Sequence, residues 1–257
     1  MEDLATIAYI TLALAFIAGV VGGAMNALAG GGTFATLPAL IAMGLPANVA
    51  NATSNVALLP GAATSALAFR DELGAVGGVP PGTLGAITFA GGLIGSLLLV
   101  ATPTRAFDLL IPWLLLFAFV VIAVGKRASS WLHERVTIGR GSLLAAQAVL
   151  GVYGGYFGGG VGLMTTAVYG LLAVVSPREL FAVRTFMLAI ANAAAAIVFM
   201  LAGLVTWWAC VPMLLGAVVG GLAGAALGKR LSPGLVRGWT LLVTAATTIV
   251  FFLRSYA

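Results

Sequence analysis

NALAGGGTFATLPAL, residues 26–40, is the stretch from which the fold of this chain is read. It sits inside an apolar region, yet it sets three adjacent glycines and a proline where a membrane helix would run unbroken. Each glycine in a helix interior costs about 1 kcal/mol relative to alanine, so the run Gly30, Gly31, Gly32 opposes continuation by roughly 3 kcal/mol. The segment that follows, Thr33 to Leu45, has 13 residues. At 1.5 Å per residue it reaches about 20 Å, short of the roughly 30 Å hydrocarbon core. The chain is therefore expected to unwind at the glycines, and unwound backbone is tolerated at membrane depth only where protein or a wet cavity satisfies its polar groups.

Working outward, the whole chain has the composition of a membrane protein. Of its 257 residues 61% are apolar and only 7% charged, and runs such as Leu109 to Val124 and Leu241 to Leu253 carry no charge. Repeated apolar segments of bilayer-crossing length indicate an all-α polytopic membrane protein. About ten segments are expected, near residues 4–27, 33–45, 48–69, 79–101, 106–125, 141–157, 161–176, 179–203, 206–228 and 235–253. Glu2 and Asp3 precede the first, with no basic n-region or small-residue cleavage site, so that segment is expected to remain as a helix.

The net charge of +5 reflects orientation and not nucleic acid, because the basic residues are scattered at segment ends with no aromatic-studded basic face. With the loop GKRASSWLHERVTIGR (125–140) in the cytoplasm, Arg70, Lys126, Arg127, Arg135, Arg140, Arg178, Lys229, Arg230 and Arg237 share that side, against Arg105 and Arg254 outside. Both termini are thus expected outside. Cys210 is the sole cysteine and His133 the sole histidine. No cofactor or metal is expected, and Cys210 reads as a small buried hydrophobe. The acidic residues Glu2, Asp3, Asp71, Glu72, Asp108, Glu134 and Glu179 fall at or near loops or segment ends. The spans offer neither paired aspartates nor a nucleophile with its base, so the chain is not expected to be an enzyme.

The chain also repeats itself. AGGGTFATLPAL (29–40) matches FGGGVGLMTTAV (157–168), GGLIGSLLL (91–99) matches GGLAGAALG (220–228), and LPANVANATSN (45–55) aligns with SPRELFAVRTF (176–186). All three offsets lie between 128 and 131 residues, as a duplication requires. Five segments per half is an odd number, so the halves enter the membrane from opposite sides. The expected organisation is one inverted repeat over 1–125, a cytoplasmic basic loop over 126–140 and a second repeat over 141–257.

Inversion brings two glycine breaks toward the midplane from opposite faces. The helices that start after Gly32 and Gly160 aim unsatisfied amides and the positive ends of their dipoles back at the breaks, which outlines an anion site.

These residues resemble the sulfite exporter TauE/SafE family of membrane transporters. The resemblance is carried by the run Gly22 to Gly32, by Pro38, and by the Gly44, Leu45, Pro46 turn leading to Ala52, Thr53 and Ser54. A second glycine-rich copy stands at GVYGGYFGGG (151–160). It implies transport of sulfite, organosulfonates or related sulfur anions across the bacterial cytoplasmic membrane. The second copy departs from the first, with Arg184, Thr185 and Phe186 opposite Thr53, Ser54 and Asn55.

The expected substrate-binding set is Asn26, Gly30, Gly31, Gly32, Thr53, Ser54, Asn55, Gly158, Gly159, Gly160, Arg184, Thr185 and Asn192. Arg184 is either an anion ligand or a side chain snorkelling to the headgroups. The hydroxyls and amides either touch solute or tie helices together. Gly216, Gly220, Gly224 and Gly228, at four-residue spacing, are read as a helix-packing ridge. Trp113, Trp207, Trp208 and Trp239 are read as interfacial anchors. A passive anion channel, or a carrier for a non-sulfur anion such as a carboxylate, remains an open alternative. The partners expected are a small anion and membrane lipids, with homo-oligomerisation left open.

Overall fold

A computed structural model describes residues 2–133, 139–172, 176–228 and 231–256. Ten α-helices account for nearly all of them: α1 (Glu2–Ala29), α2 (Thr33–Ala42), α3 (Ala47–Ala68), α4 (Pro81–Ala101), α5 (Thr104–His133), α6 (Arg140–Tyr156), α7 (Val161–Leu172), α8 (Pro177–Leu201), α9 (Trp207–Gly228) and α10 (Pro233–Tyr256). A single 3-10 turn, Arg70–Glu72, follows α3. No strand occurs among the described residues.

The helix starts follow local chemistry. Proline opens α4, α8 and α10, where its missing N–H is no loss. Ser176 and Glu179 close a capping box on α8: Ser176 Oγ accepts from the Glu179 amide at 3.3 Å, while Glu179 Oε2 accepts from the Ser176 amide at 3.1 Å. Gly44, at φ +92°, turns the chain after α2.

Each expected apolar segment corresponds to one helix. The clearest difference is α5, which continues to His133 instead of ending near residue 125. The stretch after Gly125 is built of residues that tolerate a helix, and one glycine does not outweigh them. The first half of the expected basic loop is therefore helical. Glu134 and Arg135, with Lys229 and Arg230, lie outside the described residues.

Six helices among the described residues are long and apolar enough to cross a membrane: α1, α4, α5, α8, α9 and α10. Their outward faces carry large apolar side chains such as Ile17, Leu97, Phe117, Leu222 and Leu242. This is a multi-pass α-helical membrane protein. At its centre lies α3, whose polar residues Asn51, Thr53, Ser54 and Asn55 are all buried.

Packing joins the two halves of the chain throughout. The largest interface is α1 on α9, and α4 lies on α6. Likewise α3 packs on α8, α5 on α7 and α2 on α10. Glycines set the two closest seams. A Cβ at Gly216 would stand 2.0 Å from Phe16 O, one at Gly220 1.9 Å from Val20 O, and one at Gly224 2.7 Å from Ala24 Cα. The other side reciprocates, with Gly19 against Met213 and Gly23 against Ala217. Between α4 and α6 the same role falls to Gly95 against Val152 and Gly155 against Gly92. At Gly216, Gly220 and Gly224 the ridge read from the sequence is thus a packing surface of the small-xxx-small kind, where backbones meet without side chains between them.

Candidate functional site

The helix interrupted in the opening stretch is indeed interrupted. α1 stops at Ala29 and α2 starts at Thr33, with Gly30 at φ +75° between them. In the second half α6 stops at Tyr156 and α7 starts at Val161, with Gly158 at +74° and Gly160 at +75°. These values lie in the left-handed region that glycine enters without steric cost. The breaks meet: a Cβ at Gly30 would stand 2.6 Å from Gly162 Cα, and one at Gly162 would stand 2.9 Å from Gly30 Cα. Phe34, from the first turn of α2, closes over Gly160.

At the first break Asn26 reaches across the gap. Its Oδ1 accepts from the Gly32 amide at 3.4 Å. Thr36 Oγ1 donates to Gly32 O at 3.2 Å and lies 2.5 Å from Ser54 Oγ, which ties α2 to α3. The first amides of α2 are already engaged, the Gly32 N–H by Asn26, the Phe34 N–H by Gly31 O at 3.1 Å and the Ala35 N–H by Gly32 O at 3.0 Å, against the unsatisfied amides expected from the sequence. The positive dipole ends of α2 and α7 face the junction.

At the second break Asn51 Nδ2 donates to Tyr156 O at 3.1 Å, and Asn55 Nδ2 donates to Asn192 Oδ1 at 3.4 Å. A Cβ at Gly158 would lie 3.2 Å from Asn55 Nδ2. Tyr153 Oη lies 3.1 Å from both Leu114 O and Gly159 O, so its one proton is shared between two carbonyls.

Arg184 is buried, with 7% of its surface exposed. It does not reach for the headgroups. Its guanidinium stacks over Phe181, 4.2 Å from the ring centroid, and its Nη2 approaches Ala27 O at 3.5 Å. Its Cγ stands 3.4 Å from the position of a Cβ on Gly162. The arginine therefore adjoins the end of α1 and the start of α7 at once. Among the described residues, Nε–H has no acceptor.

The structure thus gathers Asn26, Gly30, Gly31, Gly32, Ser54, Asn55, Gly158, Gly159, Gly160, Arg184 and Asn192 around the two breaks. Thr53 and Thr185 are occupied elsewhere. Thr53 Oγ1 accepts from the Thr206 amide at 3.0 Å, fixing the turn into α9, and Thr53 O receives the buried Cys210 thiol. Thr185 Oγ1 donates to carbonyls of its own helix, Phe181 O and Ala182 O. Replacing Thr53 with valine should strand the Thr206 amide, cost about 1–3 kcal/mol of stability and leave substrate affinity unchanged. Thermal unfolding and ligand titration on the same preparation test this.

Asn51, Thr36 and Tyr153 are the residues that sequence reasoning missed. Asn51 was recoverable, since it stands four residues before Asn55 and so shares its helix face. Thr36 and Tyr153 carry no such signal, because their partners come from other helices. Among the described residues no group of three His, Cys, Asp or Glu side chains is placed to hold a metal.

A multi-pass bundle whose broken helices meet at its centre, between two halves of one chain, has the architecture of a membrane transporter. The chain belongs to the sulfite exporter TauE/SafE family, whose sequence model matches residues 15–251. It is 27% identical over 239 residues to the "Probable membrane transporter protein" of Haemophilus influenzae, covering 92% of each chain. It is likewise 27% identical over 258 residues to "Probable membrane transporter protein ORF9" of Sinorhizobium sp, covering 97% of this chain and 94% of the other. "Probable membrane transporter protein YfcA" of Escherichia coli K12 is 25% identical, over 91% of this chain and 87% of its own. No solved structure matches the chain.

Proposed function

We propose that this transporter is a secondary carrier for a small anion, a sulfur oxyanion or organosulfonate, exported across the bacterial cytoplasmic membrane by alternating access. The observation that carries the reading is Arg184. A buried guanidinium with an unused Nε–H stands where two glycine breaks meet. Its planar fork suits an oxyanion through paired charge-assisted hydrogen bonds. The positive dipole ends of the helices that start after Gly32 and Gly160 add to the field that favours an anion, and Asn26 holds the Gly32 amide in place. The family's name agrees with the substrate class.

The reciprocal packing of α1 on α9 with α4 on α6, and of α2 on α10 with α5 on α7, supports two inverted repeats. It also bears on motion. The glycine seams join helices from opposite halves, so rocking one half against the other would tear both seams. The mobile bodies each draw helices from both halves.

A membrane potential, negative inside, drives anions outward at about 2.3 kcal/mol per charge per 100 mV. Export therefore needs no proton-carrying carboxylate. The test is purified protein screened by thermal shift against sulfite, sulfate, sulfoacetate, taurine, carboxylates and phosphate, followed by counterflow in proteoliposomes. The expected result is stabilisation by a sulfur anion with saturable flux and counterflow. Flux without saturation identifies a channel, and stabilisation only by carboxylates moves the substrate class.

A further inference from the structure

We infer that Phe181 is a positioning residue for the transported anion: with Phe69 behind it, its ring holds the Arg184 guanidinium in place without taking up the donors the anion needs. This role rests on Arg184 being the anion's ligand, and it supplies what makes that ligand usable.

A buried guanidinium is ordinarily held by a carboxylate through paired, charge-assisted hydrogen bonds. Such a partner would cancel the charge and occupy the fork. Among the described residues the ion pairs join Arg70 to Asp71 and Arg254 to Asp108, and Arg184 enters neither. What lies against it is an aromatic ring. Phe181 and Arg184 stand three residues apart on α8 and so share a face of it, with the guanidinium carbon 4.2 Å from the ring centroid.

That contact differs from an ion pair in what it leaves free. The ring attracts the cation through its quadrupole, and it has no lone pair with which to accept an N–H. The positive charge therefore stays uncancelled, and among the described residues Nε–H has no acceptor. Ala27 O meets Nη2 only at 3.5 Å, long for a hydrogen bond.

The ring is itself held. Phe69, the residue that follows α3, meets Phe181 edge-on, with centroids 4.7 Å apart and planes at 64°. The arginine stem runs past Gly162, where a Cβ would stand 3.4 Å from Arg184 Cγ. Rings from the end of α3 and from α8, with the backbone of α7, thus fix one side chain, and none of them competes for its Nε–H.

The test grades the π face at nearly constant shape. Phe181 is replaced in the full-length protein by mono-, di- and trifluorinated phenylalanine, which weaken the ring's pull on a cation stepwise. Sulfite and sulfoacetate are titrated against each form, against the native protein and against Arg184→Gln. Affinity is expected to fall at every step and to end about fivefold or more below native. Phe181→Leu should lose about tenfold and Phe181→Tyr should bind as the native protein does. If the leucine variant fails to fold, the near-isosteric fluorinated series decides alone. Equal affinity across that series overturns the role, and rising affinity overturns it too, since the ring would then be competing with the anion. A flat series beside lost binding in Arg184→Gln removes Phe181 and keeps Arg184. Binding that survives in Arg184→Gln, or that the native protein lacks for both anions, removes the arginine and the ring together.

Discussion

Replacing Arg184 with glutamine is expected to weaken anion binding at least about thirtyfold and to bring proteoliposome flux close to background. The magnitude follows from burial. Removing one partner of a desolvated, charge-assisted contact costs about 2–5 kcal/mol, because water does not screen it. Glutamine keeps a donor of similar reach but loses the charge and the paired fork. Lysine keeps the charge as a single point and should recover part of the affinity. A purely architectural role makes a different forecast. If the guanidinium serves only to cap the end of α1 through Ala27 O, the glutamine variant melts earlier and binds anion as before.

The second large effect is expected at the meeting of the breaks. Gly30→Ala places a side chain at φ +75° and aims its Cβ at Gly162 Cα, 2.6 Å away. Left-handed backbone costs a non-glycine residue about 1–2 kcal/mol, and overpacking adds about 1–3 kcal/mol. Gly162→Ala meets the same contact from the other side, at 2.9 Å, without the left-handed strain. Both variants should lose transport, and Gly30→Ala should show the larger fall in thermal stability. Wild-type flux in Gly162→Ala would separate the touching breaks from function. The difference between the two melting temperatures isolates the backbone term.

Much of this architecture was legible in the chain. Apolar runs of spanning length marked the helices, because in lipid only a helix satisfies its own backbone. The triple glycines marked both interruptions, and the four-residue glycine spacing marked a close seam. What a single sequence does not carry is partnership. Nothing local to Thr53 says that its hydroxyl will serve the Thr206 amide, and nothing local to Thr185 says that it will bond its own helix. Arg184 was ambiguous for a related reason. Its depth in the helix suited a headgroup as well as an interior, and only the positions of Phe181 and Gly162 settle that it turns inward. The repeat proposed from the sequence pairs segments of one half with those of the other, whereas which helix of one half lies on which helix of the other emerged only in the fold.

The seam between α1 and α9 has a consequence for biosynthesis. Val20 finds its contact at Gly220 only after α9, far along the chain, has been made. Until then the first helix must wait in the bilayer with its glycine flank facing acyl chains, inserted but not yet assembled. A chain truncated before the ninth helix therefore leaves that flank unpacked, and in a pulse-chase it is expected to be degraded faster than the chain that carries α9.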